Sequence, residues 1–184
     1  MAIYKQAVLH LAKETAMPTS LPISMPISRA EPSADFDFFV GDWTCRHRYL
    51  TKRLAGATDW IEFPGTCTTQ KILGGWGNFD QNEIELPGDR YAGASLRLYD
   101  PAADRWSIRW LDSRRPGQIT PPVVGRFDNG IGIFYGDDRF GEKPIRVRFI
   151  WSRITRGAAR WEQAFSADEG NSWETNWTMD FTRL

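Results

Sequence analysis

The stretch WETNWTMDF, residues 173–181, alternates between two kinds of side chain in steps of two. One face would carry Trp173, Thr175, Trp177, Met179 and Phe181. The other face would carry Glu174, Asn176, Thr178 and Asp180. A period of two is the side-chain period of a β-strand, and a largely apolar face opposite a polar one is typical of a strand that covers a core. The stretch therefore predicts a half-buried strand.

The same pattern extends from this strand back to Asp35, as short apolar segments separated by turn residues. The predicted strands are 43–52, 60–73, 77–85, 91–99, 105–112, 123–127, 131–136, 145–151, 159–166 and 173–182. Asp128-Asn129-Gly130 is a signal for a tight hairpin, and residues 136–144 form a longer polar turn in this prediction. Short connections and no helical pattern after Asp35 indicate an all-β fold: a closed antiparallel up-and-down barrel of about eight to ten strands.

The segment DFDFFVGDW (35–43) resembles the opening of calycin-like (lipocalin-like) barrels, in which a Gly-x-Trp motif begins the first strand. Three blocks are similar to a family of bacterial lipocalin-like proteins of undefined function. These blocks are DFDFFVGDW with the following HRYLTKRLAG (47–56), LRLYDPAADRWSIRWLDSRR (96–115) and RWEQAFSADEGNSWETNW (160–177). The resemblance implies the barrel fold and places Trp43 at its base. It brings no activity with it.

Residues 1–34 differ in composition and pattern from residues 35–184, which we assign to the barrel domain. They are predicted to form an N-terminal arm: a short helical stretch followed by a linker rich in Pro and Ser. Polar residues such as Lys5 and His10 interrupt any signal-peptide core, and Cys45 and Cys67 are too few for a disulfide framework. These features predict a cytoplasmic protein with reduced thiols.

Charge narrows the range of partners. Lys and Arg total 23, as do Asp and Glu, so the formal net charge is zero. Nucleic-acid binding needs a basic face, and anionic membranes attract basic segments, so we expect neither partner. No apolar run is long enough to cross a bilayer as a helix. A small-molecule ligand is the expected partner, and homodimer formation is left open.

The first strand supplies one group of candidate residues. If Trp43 points inward, alternation turns Cys45, His47 and Tyr49 inward as well. His47 is the one histidine in the barrel domain, and it suits either acid–base work in the cavity or a structural hydrogen bond to a neighbouring strand. Cys45, His47 and Cys67 lack the spacing of a metal site, and no later histidine could bind haem, so neither a metal nor a cofactor is expected.

Further candidates come from the later strands. Arg97 and Tyr99 share one face, as do Trp110 and Asp112 on the next strand, and Trp161 and Gln163 form a third inward set. Buried polar groups need partners. Gln163, Asp112 and Tyr99 are therefore expected either to pair with one another or to be completed by a ligand.

Three functions fit these residues. The favoured one is binding of a small, partly apolar molecule, aromatic or isoprenoid-like, in the barrel. Its predicted ligand-binding residues are Trp43, Tyr49, Arg97, Tyr99, Trp110, Trp161, Gln163 and Trp177. The alternative is a cofactor-free enzyme, an isomerase, cyclase or hydrolase, in which His47 acts as acid or base with Asp112 or Glu162. In the third, side chains fill the barrel and the N-terminal arm binds a partner chain.

Overall fold

Ten strands pair in one closed sheet in the computed structural model, which describes residues 31–184. They are β1 (Gly41–Leu50), β2 (Trp60–Ile72), β3 (Gly77–Ile84), β4 (Tyr91–Asp100), β5 (Arg105–Asp112), β6 (Val123–Asp128), β7 (Ile131–Phe140), β8 (Lys143–Ser152), β9 (Ala158–Ser166) and β10 (Glu174–Arg183). Each strand pairs antiparallel with the next along the chain, and β10 pairs with β1 to close the ring. The predicted up-and-down barrel is confirmed. The predicted N-terminal helix or arm lies outside the described residues, except for its last four.

Two hairpin turns show where turn prediction from sequence works and where it fails. Asn129 and Gly130 both have positive φ, 49° and 77°, and connect β6 to β7 as the predicted two-residue turn. The predicted long turn over 136–144 is wrong. There the ladder continues to the pair Phe140 and Lys143, and only two residues are left to make the turn. The prediction failed because the charged residues Asp137, Asp138 and Arg139 gave this end of the hairpin the composition of a loop.

The base of the barrel, the end at which β1 begins, is closed by a plug of aromatic side chains. A 3-10 turn at Asp37–Phe39 lies across this end. The Trp43 side chain is fully buried beneath it, and its indole N–H donates to the Phe39 carbonyl oxygen over 2.9 Å. The Phe39 ring stacks on Trp43 with 5.5 Å between centroids. This is the place that the calycin-like resemblance implied for Trp43.

The glycine of the Gly-x-Trp motif has a specific structural role. Gly41 has φ of +118°, and a Cβ there would lie 2.7 Å from Nη1 of Arg183. The Arg183 guanidinium is held over the Trp43 ring at 4.1 Å. It donates hydrogen bonds to the backbone carbonyls of Phe38 and Val40. Only glycine leaves room for this arginine, which ties β10 to the segment before β1.

A β-bulge in β10 changes the faces predicted for the stretch 173–181. Trp177 pairs with Gln163 but Thr175 pairs with Ala164, so Asn176 is an extra residue on β10. Beyond the bulge, Trp173 and Thr175 lie on the outer face, and the Trp173 ring packs on Tyr135 at 5.8 Å. The prediction of one shared face is therefore wrong for these two residues. It holds for Trp177, Met179 and Phe181, which are buried.

Candidate ligand-binding cavity

A cavity of about 830 Å³ occupies the barrel above the aromatic plug. Its mouth is framed by the β1–β2 loop, the β5–β6 loop and the β7–β8 hairpin, which all lie at the end opposite the base. Aromatic side chains make much of its wall: Tyr49, Trp110, Phe149, Trp151, Trp161, Phe165 and Trp177. Side chains do not fill this half of the barrel. The third predicted function, in which side chains fill the barrel, therefore does not fit the structure.

Trp177 is the centre of the aromatic wall. Its ring meets Trp110 and Trp161 edge to face, with centroids 6.1 and 5.7 Å apart. Tyr49 approaches in the same way at 5.4 Å. Edge-to-face arrangements of this kind are the favoured geometry of aromatic pairs and hold each ring in a defined orientation. The wall therefore offers flat, rigid apolar surfaces to a molecule in the cavity.

His47 lies behind this wall. Its side chain is fully buried, stacks on Phe63 at 4.8 Å, and accepts a 3.1 Å hydrogen bond at Nδ1 from the Trp177 indole N–H. Burial lowers the pKa of His47 to about 4, so the ring is neutral at pH 7 and carries its proton on Nε2. Nε2 points at Gly65 and has no hydrogen-bond partner among the described residues. This geometry makes His47 a residue that positions Trp177.

The residues predicted to act as an acid–base set do not come together. Asp112 lies at the mouth, where its carboxylate accepts hydrogen bonds from Arg114 at 3.0 and 2.7 Å. Burial raises the pKa of Asp112, but the hydrogen bonds and charge of Arg114 outweigh burial and hold this pKa below its usual value. Glu162 pairs on the strand surface with Arg160 at 3.5 Å. His47 therefore has neither predicted carboxylate beside it.

A buried polar cluster forms the deep part of the cavity, and we call Asp80, Asn82 and Arg97 the floor cluster. Arg97 Nη2 lies 2.5 Å from Asp80 Oδ2, and both side chains are almost completely buried. Asn82 Nδ2 donates to Asp80 Oδ1 over 2.6 Å. Asn82 Oδ1 and Arg97 Nε are left without protein partners among residues 31–184. A third such atom is the indole N–H of Trp151, which also lines the cavity.

Sequence analysis found one member of the floor cluster and missed two. Arg97 was among the predicted ligand-binding residues, whereas Asp80 and Asn82 were not. The signal was present in β3, where Asn78, Asp80 and Asn82 recur with a period of two. Polar residues with a strand period on an inward face mark a buried network.

The remaining predicted polar residues each have a separate partner. Gln163 lines the cavity and donates from Nε2 to Asn176 Oδ1 over 2.8 Å, so the bulge residue satisfies it. Tyr99 lies outside the cavity, and its hydroxyl donates to Asp104 over 2.8 Å. Of the two alternatives predicted for Gln163, Asp112 and Tyr99, pairing with one another is wrong, because each bonds to a different residue.

Of the predicted ligand-binding residues, six line the cavity and two do not. The six are Tyr49, Arg97, Trp110, Trp161, Gln163 and Trp177. Trp43 belongs to the plug beneath, and Tyr99 lies near the base. Both thiols are free and buried, and burial raises the pKa of Cys45 and of Cys67, so neither is a ready nucleophile. No cluster of three potential metal ligands occurs within residues 31–184.

Comparison with known proteins supports the fold. The structure is similar to that of an S-type phycobiliprotein lyase from Guillardia theta, with a TM-score of 0.52 and 11% sequence identity over 81% of this chain and 90% of that one. At this identity the likeness extends to the barrel fold alone. No protein-family model and no curated protein matches the sequence. The narrower likeness to a bacterial lipocalin-like family stays a prediction. No helix of residues 31–184 combines the length and hydropathy needed to span a bilayer.

Proposed function

We propose that the barrel binds one small, partly apolar molecule in its cavity. The observation that carries this proposal is the open volume of about 830 Å³ above the plug. Cavities that hold small ligands span about 300–1,000 Å³ and combine apolar walls with a few convergent polar groups. Both features occur here, the tryptophan wall and the floor cluster.

The unpartnered polar atoms favour a ligand over an empty cavity. A buried donor or acceptor without a partner costs about 1–3 kcal/mol, so native proteins rarely leave several in one place. Arg97 Nε and the Trp151 indole offer donors, and Asn82 Oδ1 offers an acceptor. A ligand with a polar group at its deep end that both accepts and donates would satisfy this set, while its apolar body lies against Trp110, Trp161 and Trp177.

The flat aromatic surfaces favour an aromatic or isoprenoid-like body. Edge-to-face contacts fix the ring of Trp177 between its neighbours, and His47 fixes its indole nitrogen from behind. A rigid wall loses little entropy when a ligand binds, which favours affinity. The lyase to which the structure is similar has a similar barrel fold. The ligand class proposed for this chain rests on its own side chains.

Titration with the neutral fluorophore phenylnaphthylamine tests this function, with the dye excited in its own absorption band. Two neighbouring valines provide a matched pair of variants. Val123 is buried and lines the cavity, whereas Val124 faces outward and is 37% exposed. Val123→Trp should fill part of the cavity and weaken binding about tenfold or more, the equivalent of about 1.4 kcal/mol. Val124→Trp should leave affinity unchanged.

Two results would contradict the proposal. One is the absence of saturable binding of the dye to the folded wild-type protein. The other is an equal effect of the two tryptophan substitutions, because the dye would then lie outside the barrel.

A further inference from the structure

Arg53 lies at the cavity mouth with its charge unmatched. It follows β1 in the β1–β2 loop, is half-buried, and lines the cavity. Its guanidinium carbon is 4.3 Å from the centroid of the Tyr49 ring and 5.5 Å from that of Phe165. The aromatic rings hold the side chain at the mouth and leave the edge of its planar donor fork unoccupied. No feature of the sequence marked this residue, because loop positions carry no periodicity.

Two other arginines of the cavity, Arg97 and Arg114, have carboxylate partners, whereas Arg53 has none among residues 31–184. Arg97 pairs with Asp80 at 2.5 Å, and Arg114 pairs with Asp112 and Asp89 at 2.7 and 2.6 Å. Burial lowers the pKa of Arg53 to about 10, so it keeps its charge at neutral pH but gains little compensation for its lost hydration. Buried charges are normally paired.

The carboxylate whose charge attracts Arg53 does not neutralise it. Glu174, at the start of β10, contributes an attractive charge, but its Oε1 accepts the backbone N–H of Leu54 over 2.6 Å. The charges of Arg114 and Arg115 repel that of Arg53. The ionisable groups around Arg53 thus leave the site with excess positive charge.

The other charged side chains at the mouth also carry a net positive charge. The lining of the mouth includes the cations Lys52, Arg53, Arg114, Arg115 and Arg139 and the anions Asp112, Asp137 and Asp138. Asp112 is neutralised by Arg114, and Asp138 Oδ1 accepts the backbone N–H of Arg139 over 2.8 Å. Asp137 is almost fully exposed and lies 3.6 Å from Arg146. An acidic ligand would therefore meet a positive entrance in a chain whose formal net charge is zero.

We infer that the cavity ligand is an organic acid and that Arg53 binds its carboxylate at the mouth. This inference rests on the proposed function. The apolar body would lie against the wall formed by Trp110 and Trp177, and the acid group would remain at the mouth, where the guanidinium fork can donate two parallel hydrogen bonds to it. The deep arginine, Arg97, is excluded from this role because Asp80 already neutralises it.

A pair of dyes that share one ring system and differ by a sulfonate group tests the inference. Anilinonaphthalene sulfonate carries an anionic group on the ring system of the neutral phenylnaphthylamine, and its sulfonate stands in for the carboxylate. We expect the wild-type protein to bind the sulfonate about tenfold more tightly than the neutral dye. Arg53→Gln should weaken binding of the sulfonate about tenfold or more and that of the neutral dye less than about twofold, since charged hydrogen bonds have this magnitude. Arg53→Lys should restore part of the loss.

Arg126→Gln is the matched control, because it removes the same charge from an exposed position on the outer face of β6. It should change neither affinity. Circular dichroism would establish that each variant is folded. The affinities of the wild-type protein for the two dyes test the inference even if a variant does not fold. Equal affinity of the wild type for both dyes, or equal losses of both in Arg53→Gln, would overturn the inference but leave the proposed function standing. Failure of both dyes to bind the wild type would overturn the proposed function itself.

Discussion

Acid should destabilise this protein through His47. Burial lowers the pKa of this ring from 6.5 to about 4, whereas the unfolded chain keeps the ordinary value. Between these two pH values the unfolded state binds a proton that the folded state refuses, so the free energy of unfolding falls as the pH falls. The full difference corresponds to about 3 kcal/mol below pH 4. Between about pH 7 and pH 4.5 we expect His47 to remove roughly 2 kcal/mol.

Urea unfolding at these two pH values, followed by tryptophan fluorescence, measures the effect. Carboxylates also titrate in this range, so the informative quantity is the difference in pH dependence between variants. His47→Gln should lose roughly 2 kcal/mol of that dependence. It should also be about 1 kcal/mol less stable at pH 7, because the Trp177 indole loses a well-placed acceptor.

His10→Gln is the control, since it removes the other histidine of the chain. It should keep the wild-type pH dependence. If His47→Gln keeps that dependence too, the pKa of His47 is not lowered by the fold, and the argument from its burial fails.

Three further substitutions test the packing that surrounds the cavity, each by urea unfolding. Trp43→Ala should cost about 3–5 kcal/mol, as removal of a large buried aromatic does, and a cost below about 1 kcal/mol would place this side chain outside the plug. Asp80→Asn should lower the free energy of unfolding by about 3–5 kcal/mol, because it leaves the buried Arg97 unpaired. Its control, Glu62→Gln, breaks an exposed ion pair and should lower it by less than about 1 kcal/mol. Similar losses in the two variants would contradict the buried pair. Gly41→Ala should lower the free energy of unfolding by more than about 1 kcal/mol, because position 41 has a positive φ. Gly157→Ala should leave it nearly unchanged, because position 157 has open space around it. Equal effects would refute a special role for Gly41.

The fold could be predicted because its signals are local. Strand periodicity and the Asn129-Gly130 turn depend on neighbours in sequence, and inward alternation along β1 follows from Trp43 alone. The bulge at Asn176 could not be predicted, because an extra residue appears only when β10 is aligned against β9. For this reason the sequence predicted Trp173 and Thr175 on the inner face, whereas they lie on the outer face.

The candidate site was predicted less completely, because its geometry depends on pairs that are distant in sequence. The hydrogen bond from Trp177 to His47 joins residues 130 positions apart, and it follows from the closure of β1 on β10. Periodicity placed His47 inward but could not show that a tryptophan stands between it and the cavity. Arg53 lies in a loop, where only the folded mouth reveals that its charge is unmatched.

The closing seam of the barrel has a consequence for synthesis on the ribosome. β10 is the last strand of the barrel to be made, yet it pairs with β1 along seven residue pairs, and its Arg183 completes the plug. While β10 is still inside the exit tunnel, β1 and β9 remain open edges with unpaired backbone groups, and such edges can pair with other chains. The barrel is therefore exposed to misassembly until β10 has emerged and paired with β1 and β9.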